Sequence, residues 1–296
     1  MSTNGFSHEA LLYAGEDGFL GGTLPFVCSA LEAEEPVLVM VGAAKIDALR
    51  EALNGQAPDV EFANMEEVGS NPARIIPAWS EFATERAAPG RCLWGIGEPI
   101  WAGRSPAELI ECQRHESLLN LAFAEAPAFR LLCPYDTEAL APDVIEEAHC
   151  SHHSIVDDEG HRMSTTYRGI ELSGAPFAVP LPDPPVEPAE LRFEAATLDR
   201  LRGFVGSHAE DAGMTRVRAY DLVLAVNEVA TNSVRHAGGG GVARVWDNGG
   251  AVVCEVEDDG HVDLPLAGRE RPDHERVGGH GLWLVNQLCD LAQIRS

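Results

Sequence analysis

A chain of 296 residues, 45% of them hydrophobic, has material for two packed domains and is too apolar to be disordered throughout. Its formal charge of −26 excludes a duplex-binding surface, which needs clustered Lys and Arg, but not a single phosphate-holding cleft. The longest apolar stretches, such as residues 36–41, are only strand length, and no basic start leads into a cleavable apolar leader.

The sequence therefore predicts a cytoplasmic protein with no membrane partner and no direct contact with nucleic acid. The seven cysteines are scattered without a CxxC pair, which predicts reduced, mostly packed thiols. Of the 21 basic residues only Lys45 is lysine, a compositional skew that carries no function.

In chain order, the first part alternates strand-like and helix-like segments. Strands are predicted at 10–14, 37–41, 60–63, 91–96 and 129–133. Helices are predicted at 17–33, 44–53, 77–85, 106–124 and 142–148. Such alternation predicts an α/β domain with a mostly parallel sheet covered by helices on both faces. Residues 173–188 carry six prolines, which remove the donors that helices and central strands need. This predicts a linker over 173–189 between domains at 1–172 and 190–296. In the second part, helices are predicted at 196–212 and 218–236, followed by a hairpin around Asn248-Gly249-Gly250. A proline-containing loop and a helix at 281–291 complete a predicted α/β sandwich with helices on one face of a mixed sheet.

Glu228, Asn232 and His236 recur every fourth residue and so line one helix face. An acid and an amide oxygen one turn apart suit a Mg²⁺ site with a general base, although a solvated polar face has the same pattern. Asp258, at the end of an apolar strand and two residues before Gly260, could accept a hydrogen bond from an adenine amino group or form a local acidic turn. Gly279 and Gly281 precede Leu282 at a helix entry, where backbone N–H groups can approach phosphate.

Taken together, the segment 227–237 resembles the N box of the histidine-kinase-like ATPases, closest to the anti-sigma-factor serine kinases. Asp258-Asp259-Gly260 resembles the first half of their G1 box, and Gly279-His280-Gly281-Leu282 their G2 box. The resemblance implies a two-layer α/β sandwich over about 193–296 that binds ATP and Mg²⁺. Glu228 would be the catalytic base and Asn232 the Mg²⁺ ligand. His236, Asp258, Gly260, Gly279, Gly281 and Leu282 would contact nucleotide. Residues 261–278 would form a lid whose Arg269, Arg271 and Arg276 could reach phosphate. Val262 stands where the family has a second glycine, and the family's final strand is expected to be missing after Ser296.

Residues 8–152 resemble the MEDS sensory domain through Pro36–Val41, 71–77, 95–101, 112–120 and 133–136, which implies a RecA-like three-layer α/β fold. Glu98 and Trp101 at a strand end, together with His115 and Glu116, form a candidate sensory pocket, with core packing of Trp101 and solvation of Glu98 as the alternative. Gly42-Ala43-Ala44-Lys45 sits where a phosphate loop would lie but lacks the GxxxxGK[ST] pattern. The string His149-Cys150-Ser151-His152-His153 is a weak metal candidate.

No phospho-acceptor histidine helix precedes the ATPase module, which points away from a histidine kinase. The expected function is a signalling regulator that phosphorylates a Ser or Thr of an anti-sigma-factor antagonist and/or binds a sigma factor. The alternative is a non-catalytic partner-binding switch. A homodimer is compatible with either reading.

Overall fold

Short runs rich in Val, Ile and Leu build a central sheet in the first part of the chain, because strands buried on both faces need apolar residues at nearly every position. The computed structural model describes residues 5–296 apart from 56, 127, 173–176, 178, 185–186 and 273–278. It divides into two compact units, Met1–Phe177 and Ala178–Ser296.

In the first unit the strands are β1 (Phe6–Tyr13), β2 (Val37–Val41), β3 (Glu61–Asn64), β4 (Leu93–Gly97), β5 (Phe129–Asp136), β6 (Ser154–Asp157) and β7 (Gly160–Met163). They form one seven-stranded sheet in the order β3-β2-β4-β5-β1-β6-β7. Every pairing is parallel except β6 with β7. Helices α1 (Gly15–Glu32), α2 (Ala43–Ala52), α3 (Met65–Val68), α4 (Ile75–Arg86), α5 (Pro106–Ala122) and α6 (Pro142–Ser151) connect them. This is the α/β architecture that the alternation predicts.

The pleat sorts the side chains of β1 between two layers. Leu11 and Tyr13 join Phe19 and Val27 of α1 and Ile46 and Leu49 of α2 in one core. His8 and Ala10, of the other parity, belong to the opposite face. There Trp79 of α4 lies close against β4, since a Cβ added to Gly95 or Gly97 would stand 2.8 or 2.9 Å from its ring.

The sequence underestimates β1 because His8 and Glu9 look polar, yet both are buried. It misses β6 and β7, whose residues Gly160–Met163 are all exposed and carry no apolar alternation. Helix α3, four residues long, is too short to show a helical period in sequence.

The second unit contains β8 (Ala189–Glu194), α7 (Leu198–Asp211), α8 (Arg216–His236), β9 (Gly240–Asp247), β10 (Val252–Glu257) and α9 (His280–Leu288). Its sheet runs β10-β9-β8. Both pairings are antiparallel, so among the described strands the sheet is not the mixed one predicted. Strand β8 escapes the sequence reading because it begins directly beyond the proline run. Its Leu191 and Phe193 alternate inward and join Leu201, Val205, Val226, Ala230, Ala243 and Val245 in the second core.

The hairpin turn forms as expected, with Asp247 Oδ1 accepting from Gly249 N at 2.9 Å. Thr215 caps α8 by accepting from Arg218 N. Of the proline segment, residues 173–176, 178 and 185–186 lie outside the described residues. None of the seven cysteines, all of them described, is in a disulfide. Among the described residues no helix is long and apolar enough to cross a membrane.

Candidate functional site

The site in the second unit is assembled from α8, the end of β10 and the start of α9. Helix α8 buries Ala219, Ala225, Val226, Ala230 and Ser233. That leaves Glu228 and Asn232 half-buried on an adjacent face, one turn apart. Helix α9 begins from Gly279, whose φ of +83° lies in the left-handed region that glycine alone enters without strain.

Two residues on, the backbone comes so close to α8 that a Cβ on Gly281 would stand 3.1 Å from Glu228 Oε2 and 3.2 Å from Asn232 Nδ2. The acid, the amide and the first turn of α9 therefore share one small volume. Arg218 holds this packing from the far end of α9, donating to Leu288 O at 2.8 Å and pairing with Asp290 at 2.7 Å.

Asp258 follows β10 and is fixed twice. Its Oδ2 accepts the Ser233 hydroxyl at 2.5 Å and its Oδ1 accepts Gly260 N at 2.8 Å. Gly260 in turn lies against the residue that ends α8, where an added Cβ would come within 2.6 Å of Ala237 Cβ. Sequence reasoning assigned no role to Ser233 or Ala237, although both lie inside the N-box segment; the signal was the serine one residue after Asn232.

His236 is exposed at the end of α8, and Leu282 packs against Gly268 of the loop that precedes α9. That loop is tied to α9 by Asn286 Nδ2, which donates to Gly268 O at 2.8 Å. Of the predicted lid arginines, Arg269 is buried, Arg271 is exposed, and Arg276 lies outside the described residues. Val262 is exposed and keeps an ordinary backbone φ, so the position does not demand glycine here.

A nucleotide with its metal fits these groups. Hard oxygens of Glu228 and Asn232 suit Mg²⁺, and backbone N–H groups at the glycine-lined start of α9 suit phosphate. Asp258, already oriented by Ser233, suits an amino-group donor.

In the first unit Glu98 and Glu116 belong to two separate polar clusters, built around β1 residues of opposite parity, Tyr13 and His8. Glu98, just past β4, is buried rather than solvated. Lys45 Nζ lies 2.5 Å from its Oε1 and the Tyr13 hydroxyl donates to the same oxygen at 2.7 Å. Burial raises the Glu98 carboxyl above its usual range, outweighing the opposing pull of Lys45. Burial, reinforced by Glu98, also raises the Tyr13 hydroxyl. Lys45, in the degenerate phosphate loop, is thus engaged with a carboxylate. Trp101 is half-buried, with the Arg104 guanidinium 3.7 Å from its ring centre.

Glu116 and His115 are buried on α5. His8 and Tyr13, which anchor the two clusters, stand five residues apart on β1, roughly 16 Å along the strand. Glu116 Oε2 lies 3.0 Å from His8 Nε2 and 3.2 Å from His152 Nε2, and His8 Nε2 lies 3.3 Å from Cys133 Sγ. Burial, then the neighbouring His152, lowers His8 to about 4. Burial alone would raise Glu116, but its contacts with His152 and His8 hold it well below the usual range. Burial, then Glu116, raises the Cys133 thiol.

The string 149–153 does not converge as a unit. Only His152 turns into this cluster, while His153 Nε2 meets the Tyr167 hydroxyl at 3.1 Å.

Comparison with known families agrees with both halves. The family described as MEthanogen/methylotroph, DcmR Sensory domain (MEDS) matches residues 7–153. The histidine kinase-like ATPase domain matches residues 191–296. Among curated proteins none matches the chain. The chain is thus a MEDS sensory domain fused to a histidine kinase-like ATPase domain, the layout of a signalling regulator with an ATP-binding unit.

Proposed function

We propose that the second unit binds Mg-ATP and phosphorylates a serine or threonine of a protein partner under control of the sensory unit. The partner class that the motifs favour is an anti-sigma-factor antagonist, and the same surface can also engage a sigma factor. One observation carries this reading: Gly281 brings the start of α9 within contact distance of both Glu228 and Asn232. That proximity supports the reading, because a base, a metal-binding amide and phosphate-binding backbone side by side are what phosphoryl transfer needs, and such transfer rests mainly on positioning and charge neutralisation.

Bound Mg-ATP would supply the transferable phosphoryl group. With Mg-ATP bound, Glu228 would accept the proton of the attacking hydroxyl, Asn232 would hold the metal, and Asp258 with Ser233 would select the base. Titration of the full chain with ATP, with and without Mg²⁺, followed by radiolabel transfer to a candidate antagonist, tests the assignment. Binding with transfer supports the kinase. Binding without transfer to any antagonist supports a nucleotide-dependent partner switch, and absence of binding removes both.

A further inference from the structure

The cluster His8, Glu116, Cys133 and His152 lies outside the ATPase site, and every member is at most 1% exposed. Its four side chains come from β1, α5, β5 and the end of α6. One donor atom from each lies within 4.8 Å of all the others. Three of the donor pairs, 3.0, 3.2 and 3.3 Å apart, approach the tetrahedral edges of about 3.3–3.8 Å set by zinc bonds of about 2.0–2.3 Å.

Counting lone pairs shows what this arrangement lacks. His8 Nδ1 lies 3.1 Å from Asn120 Oδ1, and Asn120 is oriented by donating its amide to Ser151 O at 2.7 Å. His152 Nδ1 lies 2.8 Å from Ala148 O. Both Nδ1 atoms face acceptors, so each carries its ring proton there and presents a bare Nε2 to the centre. The two lone pairs meet a carboxylate that has no proton to offer, and Glu116 Oε1 and His152 Nε2 are buried without a hydrogen-bond partner. A cation at the centre removes this conflict.

We propose that the sensory unit holds a buried zinc-class divalent ion on His8 Nε2, the Glu116 carboxylate, Cys133 Sγ and His152 Nε2. On binding, the Cys133 thiol loses its proton to solvent and the sulfur bonds the metal. The 2+ ion with one carboxylate and one thiolate then forms a centre of zero net charge, the form that an apolar interior tolerates. All four positions are filled by protein, which is the pattern of a structural site. It ties the neighbouring central strands β1 and β5 to two helices of one layer, so its occupancy would set the packing of that face. Asn120 and Ala148 O act as positioning groups, holding the rings by their Nδ1 atoms.

The test uses the untagged full chain, stripped with a chelator and titrated with Zn²⁺ and, separately, Co²⁺. The expected result is equimolar uptake, a rise in unfolding temperature with Zn²⁺, and visible bands of tetrahedral Co²⁺ with a thiolate-to-cobalt charge-transfer band. Cys133→Ser should lose the charge-transfer band, and Asn120→Ala should bind about 10- to 100-fold more weakly. His149→Ala with Cys150→Ala should bind as wild type. An unfolding temperature of the wild-type chain unmoved by Zn²⁺, with no tetrahedral Co²⁺ spectrum, would overturn the proposal and leave a proton-bridged network. Loss of the spectrum in the His149→Ala, Cys150→Ala variant but not in Cys133→Ser would also overturn it.

Discussion

Ser233 on α8 donates its hydroxyl to Asp258 Oδ2 at 2.5 Å, joining the helix that carries Glu228 to the strand end that would receive a nucleobase. Because Asp258 is otherwise exposed, this contact and the one from Gly260 N set its direction. Ser233→Ala removes one net hydrogen bond of about 1 kcal/mol, so adenine nucleotide affinity should fall about fivefold. Calorimetric titration with ATP and GTP measures it; an unchanged preference between the two would detach Asp258 from base selection.

Glu228→Gln keeps the size of the side chain and removes the proton acceptor. Transfer to the antagonist should drop by about 10²-fold or more while ATP remains bound. Equal transfer by the two proteins in a single-turnover assay would remove Glu228 from the base role.

Gly281→Ala places a methyl group 3.1 Å from Glu228 Oε2 and 3.2 Å from Asn232 Nδ2. Both neighbours are side chains that can shift, so the domain should fold, with the displacement felt at the metal–phosphate position. Mg-ATP affinity should weaken about tenfold, a change of about 1.4 kcal/mol, and the thermal midpoint should move little. A large midpoint loss with normal affinity would assign Gly281 to packing alone.

Glu98 gives the sensory unit a pH dependence whose sign follows from its raised carboxyl. In the window from its ordinary value of 4.5 up to its folded value, the folded chain keeps a proton that the unfolded chain has released. The stabilisation is therefore complete below 4.5 and is lost as pH rises through the folded value. Urea denaturation across that range should show the decline in wild type and a flatter profile in Glu98→Gln. Parallel profiles would place the titration elsewhere.

Trp79 is 1% exposed and lies under Gly95 and Gly97. Trp79→Ala should cost about 3–5 kcal/mol of stability in the first unit, read by denaturant unfolding. A loss below about 1 kcal/mol would mean that the layer refills the space.

The candidate nucleotide site is legible in sequence where its geometry is local. Glu228 and Asn232 share a helix face because four residues make about one turn, and Gly279 announces a helix start that needs a left-handed residue. Strand β8 was not legible, because its six residues adjoin prolines and only partner β9 reveals the alternation of Leu191 and Phe193. The candidate pocket of Glu98, Trp101, His115 and Glu116 reads as one site along the chain, but Glu98 joins Tyr13 and Lys45 while Glu116 joins His8, of the other parity on β1. The string 149–153 sets His149, Cys150, Ser151, His152 and His153 side by side, while the cluster takes only His152 from it.

Sequence by itself determined the two domain families, the helix-face spacing of Glu228 and Asn232 and the glycine entry to α9, since each depends on periodicity or backbone freedom within a few residues. Tertiary structure alone decided the meeting of Gly281 with α8, the Ser233–Asp258 bond and the convergence of His8, Glu116, Cys133 and His152. His8 and Glu116 are 108 residues apart in sequence. Only parallel strand register and helix packing bring such donors to one point, and no local pattern encodes that approach.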